Sequence, residues 1–334
     1  MQVPIDSLRR RVLRAVGGLV LLIAAGRTAA RAATLPSPPP EPATKVRVVA
    51  TTGMAADLLR QVGGDRLEVI ALMGEGVDPH LHRPGRSDLR RMLRADLVVA
   101  HGLGLEARLA PVLRRLEESG RRVWWLGDLV PSESLRRDPA APGVADPHLW
   151  MDPLLWAITA RGLGERLAGL DPAAADEFRG RAETTARGLE ALHAQGLAAV
   201  ATIPTPQRLV VTAHDAFGYF GRSFGLEVMA LQGLSTASEA GIADLERLVE
   251  VLVERRVPAV FLESTISPRA VEAMLAGVRA RGGSASLGGT LHADALGPAG
   301  RGADTVLGMI RHDLRVVVEG LGGDAAILEA EAPR

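Results

Sequence analysis

The chain has 334 residues, nearly half of them hydrophobic, which is enough for two domains each with its own core. Lys+Arg and Asp+Glu both number 39, so no net charge points to nucleic acid or an anionic membrane, and 3% aromatics leave little for base or sugar stacking. There is no cysteine, which excludes disulfides, thiolate metal sites, cysteine nucleophiles and a lipid-anchored N-terminal cysteine.

Residues 1–33 read as a secretory signal. Arg9, Arg10, Arg11 and Arg14 give a basic start, 15–25 is an apolar run of signal length, and Ala30-Arg31-Ala32 offers a cleavage site. The paired arginines also suit a twin-arginine signal. The proline-rich stretch 34–44 is a spacer. The mature protein is therefore expected to be exported to a periplasm, soluble and not lipidated.

From residue 46, short β-branched runs alternate with helical patterns. Strands are expected at 46–50, 67–72, 97–100 and 123–126, with helices at 54–62, 87–94 (Ser87 as N-cap) and 107–118. Buried runs between helices imply a parallel sheet covered on both faces. Asp171-Pro172 then starts a helix, an N-cap followed by proline at the first helical position. Apolar residues at helical spacing from Phe178 to Val200 carry it for about 30 residues, roughly 45 Å. It is either one strut between two lobes or two helices broken near Gly188 or Gly196. After Pro206 the alternation resumes, with strands at 208–212, 228–231, 259–262 and 284–287 and helices at 214–224, 239–255, 268–281 and 304–319. The organisation is a lobe at 45–170, a linking helix at 171–204 and a second lobe at 205–325.

The chemistry centres on a repeat. Asp78-Pro79-His80-Leu81 recurs as Asp146-Pro147-His148-Leu149. Proline fixes φ and ends regular structure, so each histidine sits on a stiff loop with a set direction. Ligands of open α/β sheets bind beyond the carboxyl ends of the strands. That rule adds His214, which follows 208–212, and His292 and Asp294, which follow the last strand. His193 and His312 read as solvated helix residues and His101 as a hydrogen-bonded structural residue.

Six stretches resemble the solute-binding proteins of ABC transporters that import zinc and manganese. They are Gly76-Val77-Asp78-Pro79-His80, Ala95-Asp96-Leu97-Val98 with Gly102-Leu103-Gly104-Leu105-Glu106, the run from Asp146 to Pro153, His214-Asp215-Ala216-Phe217-Gly218-Tyr219-Phe220, the run from Gly233 to Gly241, and Asp294-Ala295-Leu296-Gly297. The resemblance implies an α/β fold of two parallel-sheet lobes linked by a single long α-helix, with the metal in the interlobe cleft. It carries metal ligands onto His80, His148, His214 and Asp294. It further implies one Zn2+ or Mn2+ per chain as transported ligand, a monomer, and an ABC permease in the inner membrane as partner. His82 stands where the family usually has an aromatic, His101 where asparagine is common, and His292-Ala293 where an aromatic and serine are usual. The segment 131–145 is short and lacks the histidines of many zinc-specific members, which leans toward manganese or mixed use, although the Irving–Williams order favours zinc in vitro. Two other functions compete. A zinc hydrolase would need an open ligand position and a general base, with Glu106, Glu239 and Glu263 as candidates. A binder of a chelated metal, a siderophore or corrinoid, would offer more aromatic and arginine surface.

Overall fold

The computed structural model describes residues 45–138, 141–237 and 241–329. The expected signal and spacer, 1–44, lie outside them. In the first lobe β1 (Val46–Ala50), β2 (Leu67–Ala71), β3 (Leu97–Ala100) and β4 (Val123–Trp125) form one parallel sheet in the order β2-β1-β3-β4. Successive strand residues face opposite sides. Val48, Ala50, Leu97 and Val99 enter the main core, and Val49, Val98 and Ala100 enter a second cluster on the other face. Burial on both faces is why these strands read as continuous apolar runs.

Helices α1 (Gly53–Gly63), α2 (Arg86–Arg94) and α3 (Ala110–Glu118) connect the strands. Thr52 caps α1 by accepting the Ala55 N–H. The expected Ser87 cap of α2 is not realised. Gly85 is the N-cap, and its N–H donates to Asp88 at 2.9 Å. That reciprocal bond to the third helical residue anchors the turn where a serine hydroxyl was expected to do so.

Two helices follow. α4 (Pro153–Leu170) was not singled out from sequence, although Asp152-Pro153 is the same start signal as Asp171-Pro172. Asp152 accepts from Leu154 and Leu155 N–H. After one 3-10 turn (Pro172–Ala174), α5 (Ala175–Ala201) runs 27 residues as a single helix, about 40 Å long. Its buried residues Phe178, Ala182, Ala186, Leu189, Leu192, Gly196, Ala199 and Val200 keep three- and four-residue spacing. The alternative break at Gly188 or Gly196 does not occur. Gly196 serves close approach instead: a Cβ there would lie 2.4 Å from Phe224 and 2.9 Å from Leu314. Gly164 does the same where α4 crosses α5, since its Cβ would lie 2.7 Å from that of Ala182.

The second lobe holds β5 (Leu209–His214) paired in parallel with β6 (Glu227–Gln232), and β7 (Ala259–Glu263) paired in parallel with β8 (Ser286–Leu291). β5 lies alongside β7. Around them pack α6 (Gly218–Phe224), α7 (Ile242–Glu254), α8 (Arg269–Ala280) and α9 (Val306–Gly320). One boundary matters for function. His214 is the last residue of β5 and not the first of a helix. α9 is tied to the first lobe, because Asp57 of α1 accepts the Val306 N–H at 2.9 Å. No helix among the described residues is long and apolar enough to cross a membrane.

Candidate metal centre

Each Asp-Pro-His loop is fixed by its own aspartate. Asp78 accepts the His80 N–H at 2.8 Å, and Asp146 accepts the His148 N–H at 3.0 Å. This is the turn in which an aspartate bonds the backbone two residues on. Asp146 also accepts from His148 Nδ1 at 2.8 Å, which leaves the Nε2 lone pair facing inward. His101 supports the same loop, its Nε2–H donating to Pro147 O at 2.6 Å and its ring lying edge-on to Trp150. Burial pushes its pKa down to about 3, so it stays neutral as expected of a structural residue.

In the second lobe His214 is aimed by a distant carboxylate. Glu263, at the end of β7, accepts His214 Nδ1–H at 2.5 Å with one oxygen and the N–H groups of Ala213 and His214 with the other. Asp294 lies three residues beyond β8. Trp150 of the first lobe donates its indole N–H to the adjacent Ala293 carbonyl at 2.9 Å.

These elements bring His80, His148, His214 and Asp294 together, with one donor atom of each within 4.8 Å of all the others. His80 Nε2 is 3.3 Å from His148 Nε2 and 3.6 Å from Asp294 Oδ2. His148 Nε2 is 3.4 Å from Asp294 Oδ1, and His214 Nε2 is 3.3 Å from Asp294 Oδ2. A tetrahedral ion with bonds of about 2.0–2.1 Å requires ligand separations of about 3.3–3.4 Å. All four residues are buried, yet both Asp294 oxygens and His214 Nε2 lack a hydrogen bond of normal geometry. A buried carboxylate without donors is costly, and a cation among the four donors removes that cost. The cluster could therefore hold one Zn2+ or Mn2+. The two Asp294 oxygens face different histidines, which suits the higher coordination of Mn2+ as well as tetrahedral Zn2+.

The electrostatics agree. Burial lowers His80 to about 4, outweighing the attraction of Asp294. Burial also opposes charge on His148, but Asp146 and Asp294 outweigh it and raise that histidine to about 9. His214 is likewise raised well above its usual value against burial, by Glu263 and Asp294. Burial would raise Asp294, but His214 and His148 hold it well below the carboxylate range. Both histidines thus favour positive charge beside Asp294, the charge a divalent ion would supply.

The other histidines stand apart from the cluster. An extended segment after Pro79 would put His82 on one face with His80. Residues 79–81 instead form a turn closed by His82 N–H to Asp78 O, and His82 Nε2 lies 3.5 Å from Asp88. His292 bonds Ser264 Oγ through Nδ1, beside His312, whose Nε2–H donates to Thr290 O. His193 is half-buried rather than solvated, donating to Ser223 O at 3.0 Å. Of the candidate bases, Glu106 is buried at the strand ends, accepting from His101 N, Gly102 N and the Thr51 hydroxyl. Glu263 is engaged by His214, and Glu239 lies outside the described residues. Sequence reasoning had no sight of Glu263 as the partner of His214, since it stands 49 residues away.

Two α/β lobes on one long helix, with a buried centre of three imidazoles and a carboxylate, define a receptor for a transition-metal ion. The chain belongs to the ZnuA family, described as zinc-uptake complex component A, periplasmic, which matches residues 48–320. It is 38% identical to the zinc-binding protein TroA of Treponema pallidum over 83% of this chain and 89% of that one. To the manganese-binding lipoprotein MntA of Bacillus subtilis it is 36% identical, over 83% and 90%. The solved structure of the periplasmic zinc-binding protein TroA superposes with a TM-score of 0.79, covering 83% of this chain and 99% of that one. The family comprises substrate-binding receptors rather than enzymes, working with an ABC permease.

Proposed function

We propose that the protein is a periplasmic receptor that binds one Mn2+ or Zn2+ through His80, His148, His214 and Asp294 and delivers it to an ABC permease of the inner membrane. The observation that carries this reading is the set of four buried donors within 4.8 Å of one another, with a nitrogen of each histidine 3.3–3.6 Å from an Asp294 oxygen. Four protein ligands close the coordination shell to an attacking water, so the centre is built for capture and not hydrolysis. The lobes are 45–170 and 205–325, joined by the helix within 171–204, and the receptor works as a monomer. MntA is named a lipoprotein, whereas this chain offers no cysteine for a thioether lipid, so we place it as soluble after removal of residues 1–33. The test is metal analysis of protein purified without added metal, followed by calorimetric competition between Mn2+ and Zn2+. One tight ion per chain is expected. No binding, or two equal tight sites, refutes the reading.

A further inference from the structure

The two Asp-Pro-His loops differ in what holds their aspartates. In the His148 loop, the second oxygen of Asp146 faces Arg136 of the same lobe at 3.5 Å, and the whole loop is buried. In the His80 loop, the second oxygen of Asp78 accepts a hydrogen bond from the Thr236 hydroxyl at 2.6 Å. Thr236 belongs to the turn that follows β6 in the other lobe. One carboxylate therefore fixes the His80 backbone with Oδ1 and grips the opposite lobe with Oδ2. His80 is also the most accessible donor of the four, at 5% exposure against 0% for His148 and His214 and 2% for Asp294.

We infer that the Asp78–Thr236 bond is a cross-lobe latch that positions His80 and sets the rate at which the ion leaves. This rests on the proposed metal site. With the latch made, lobe opening cannot begin without disturbing the turn that aims His80. With it broken, the His80 loop can swing away while His148, His214 and Asp294 remain fixed by Asp146, Glu263 and Trp150. His80 is then the first ligand to let go, and Thr236 is a positioning residue rather than a ligand. The chemistry needs only a hydroxyl donor at 236, so serine should serve and valine, of the same shape, should not.

The experiment compares wild type, Thr236→Val, Thr236→Ala and Thr236→Ser, each loaded with Mn2+ or Zn2+ and mixed rapidly with excess chromogenic chelator. Loss of the hydroxyl should speed release about tenfold, the size expected of one hydrogen bond to a charged group. Association should be little changed, and saturation should stay at one ion per chain. Thr236→Ser should release within about twofold of wild type, since its hydroxyl preserves that bond. The alanine variant removes the hydroxyl without placing a methyl against Asp78, so agreement between Ala and Val excludes a packing defect. Release from both at the wild-type rate, or Ser as fast as Val, overturns the latch while leaving the receptor intact. A wild-type chain that takes up neither ion overturns the receptor reading and the latch with it.

Discussion

The two lobes aim their histidines by opposite means. The first lobe works locally, with an aspartate two residues before each histidine accepting its backbone N–H across a proline-stiffened turn. The second works at long range. His214 is the end of a strand, and the carboxylate that orients it arrives from a neighbouring strand. The local device needs no tertiary structure to be specified, so it is visible as a repeated tetrapeptide. The long-range device exists only once β5 lies beside β7. It also does more, since Glu263 satisfies two buried backbone N–H groups at the same time.

Four measurements break or sharpen that contrast. The largest effect belongs to the donors themselves. His148→Ala, His214→Ala and Asp294→Ala should each cost about 3 kcal/mol of metal binding, dividing a typical ~10–16 kcal/mol among four ligands. Calorimetry showing any of them at wild-type affinity would remove that residue from the centre. Next come the orienting carboxylates. Asp146→Asn and Glu263→Gln should each weaken binding about 10- to 100-fold. Truncation separates them further: Glu263→Ala leaves two buried backbone N–H groups without an acceptor where Asp146→Ala leaves one, so it should lower the melting temperature of the metal-free protein more. Equal melting temperatures would deny the contrast.

The third measurement is pH. His148 lies at about 9 in the folded, metal-free chain, against about 6.5 when unfolded. A raised folded value stabilises the protein below the unfolded pKa and is lost as pH rises through the folded one. The metal-free melting temperature should therefore fall between pH 6.5 and 9. Metal must displace the proton on His148 and also the one on His214, which is raised as well, so apparent affinity should rise more than tenfold per unit over the same window. His80, held near 4, contributes no proton there. Flat affinity across that range would mean that no proton leaves His148 when the ion binds. The smallest effect is at His82, whose ring faces Asp88. His82→Ala or His82→Tyr should change affinity by no more than about twofold, as for a surface change. A large loss would place His82 in the centre.

Much of this was legible. Eight strands and one long helix followed from apolar runs and helical spacing, and the Asp-Pro-His repeat marked two donors. The strand-end rule selected His214 and Asp294, which the fold brings into the cluster, but also His292, which it does not, because position in sequence does not say which way a side chain turns. α4 was overlooked although Asp152-Pro153 announces it. His82 faces Asp88 because a turn, and not an extended strand, follows Pro79. Thr236 lies in a stretch with family likeness and Glu263 stands out as an acid, but their pairings with Asp78 and His214 carry no local signal, because folding alone delivers those partners.

The spacing of the four donors along the chain has a topological consequence. His80 and His148 alone stand 68 residues apart, and the other intervals are of similar length. An ion held among them is a reversible cross-link that closes three long loops of the polypeptide at one point, and loops of this size lose considerable chain entropy when tied. A backbone cut in any exposed connection between two donors would leave fragments still stitched through the ion. Removing the ion would undo all three closures together, so the resistance of the chain to proteolysis should appear and vanish as a single event.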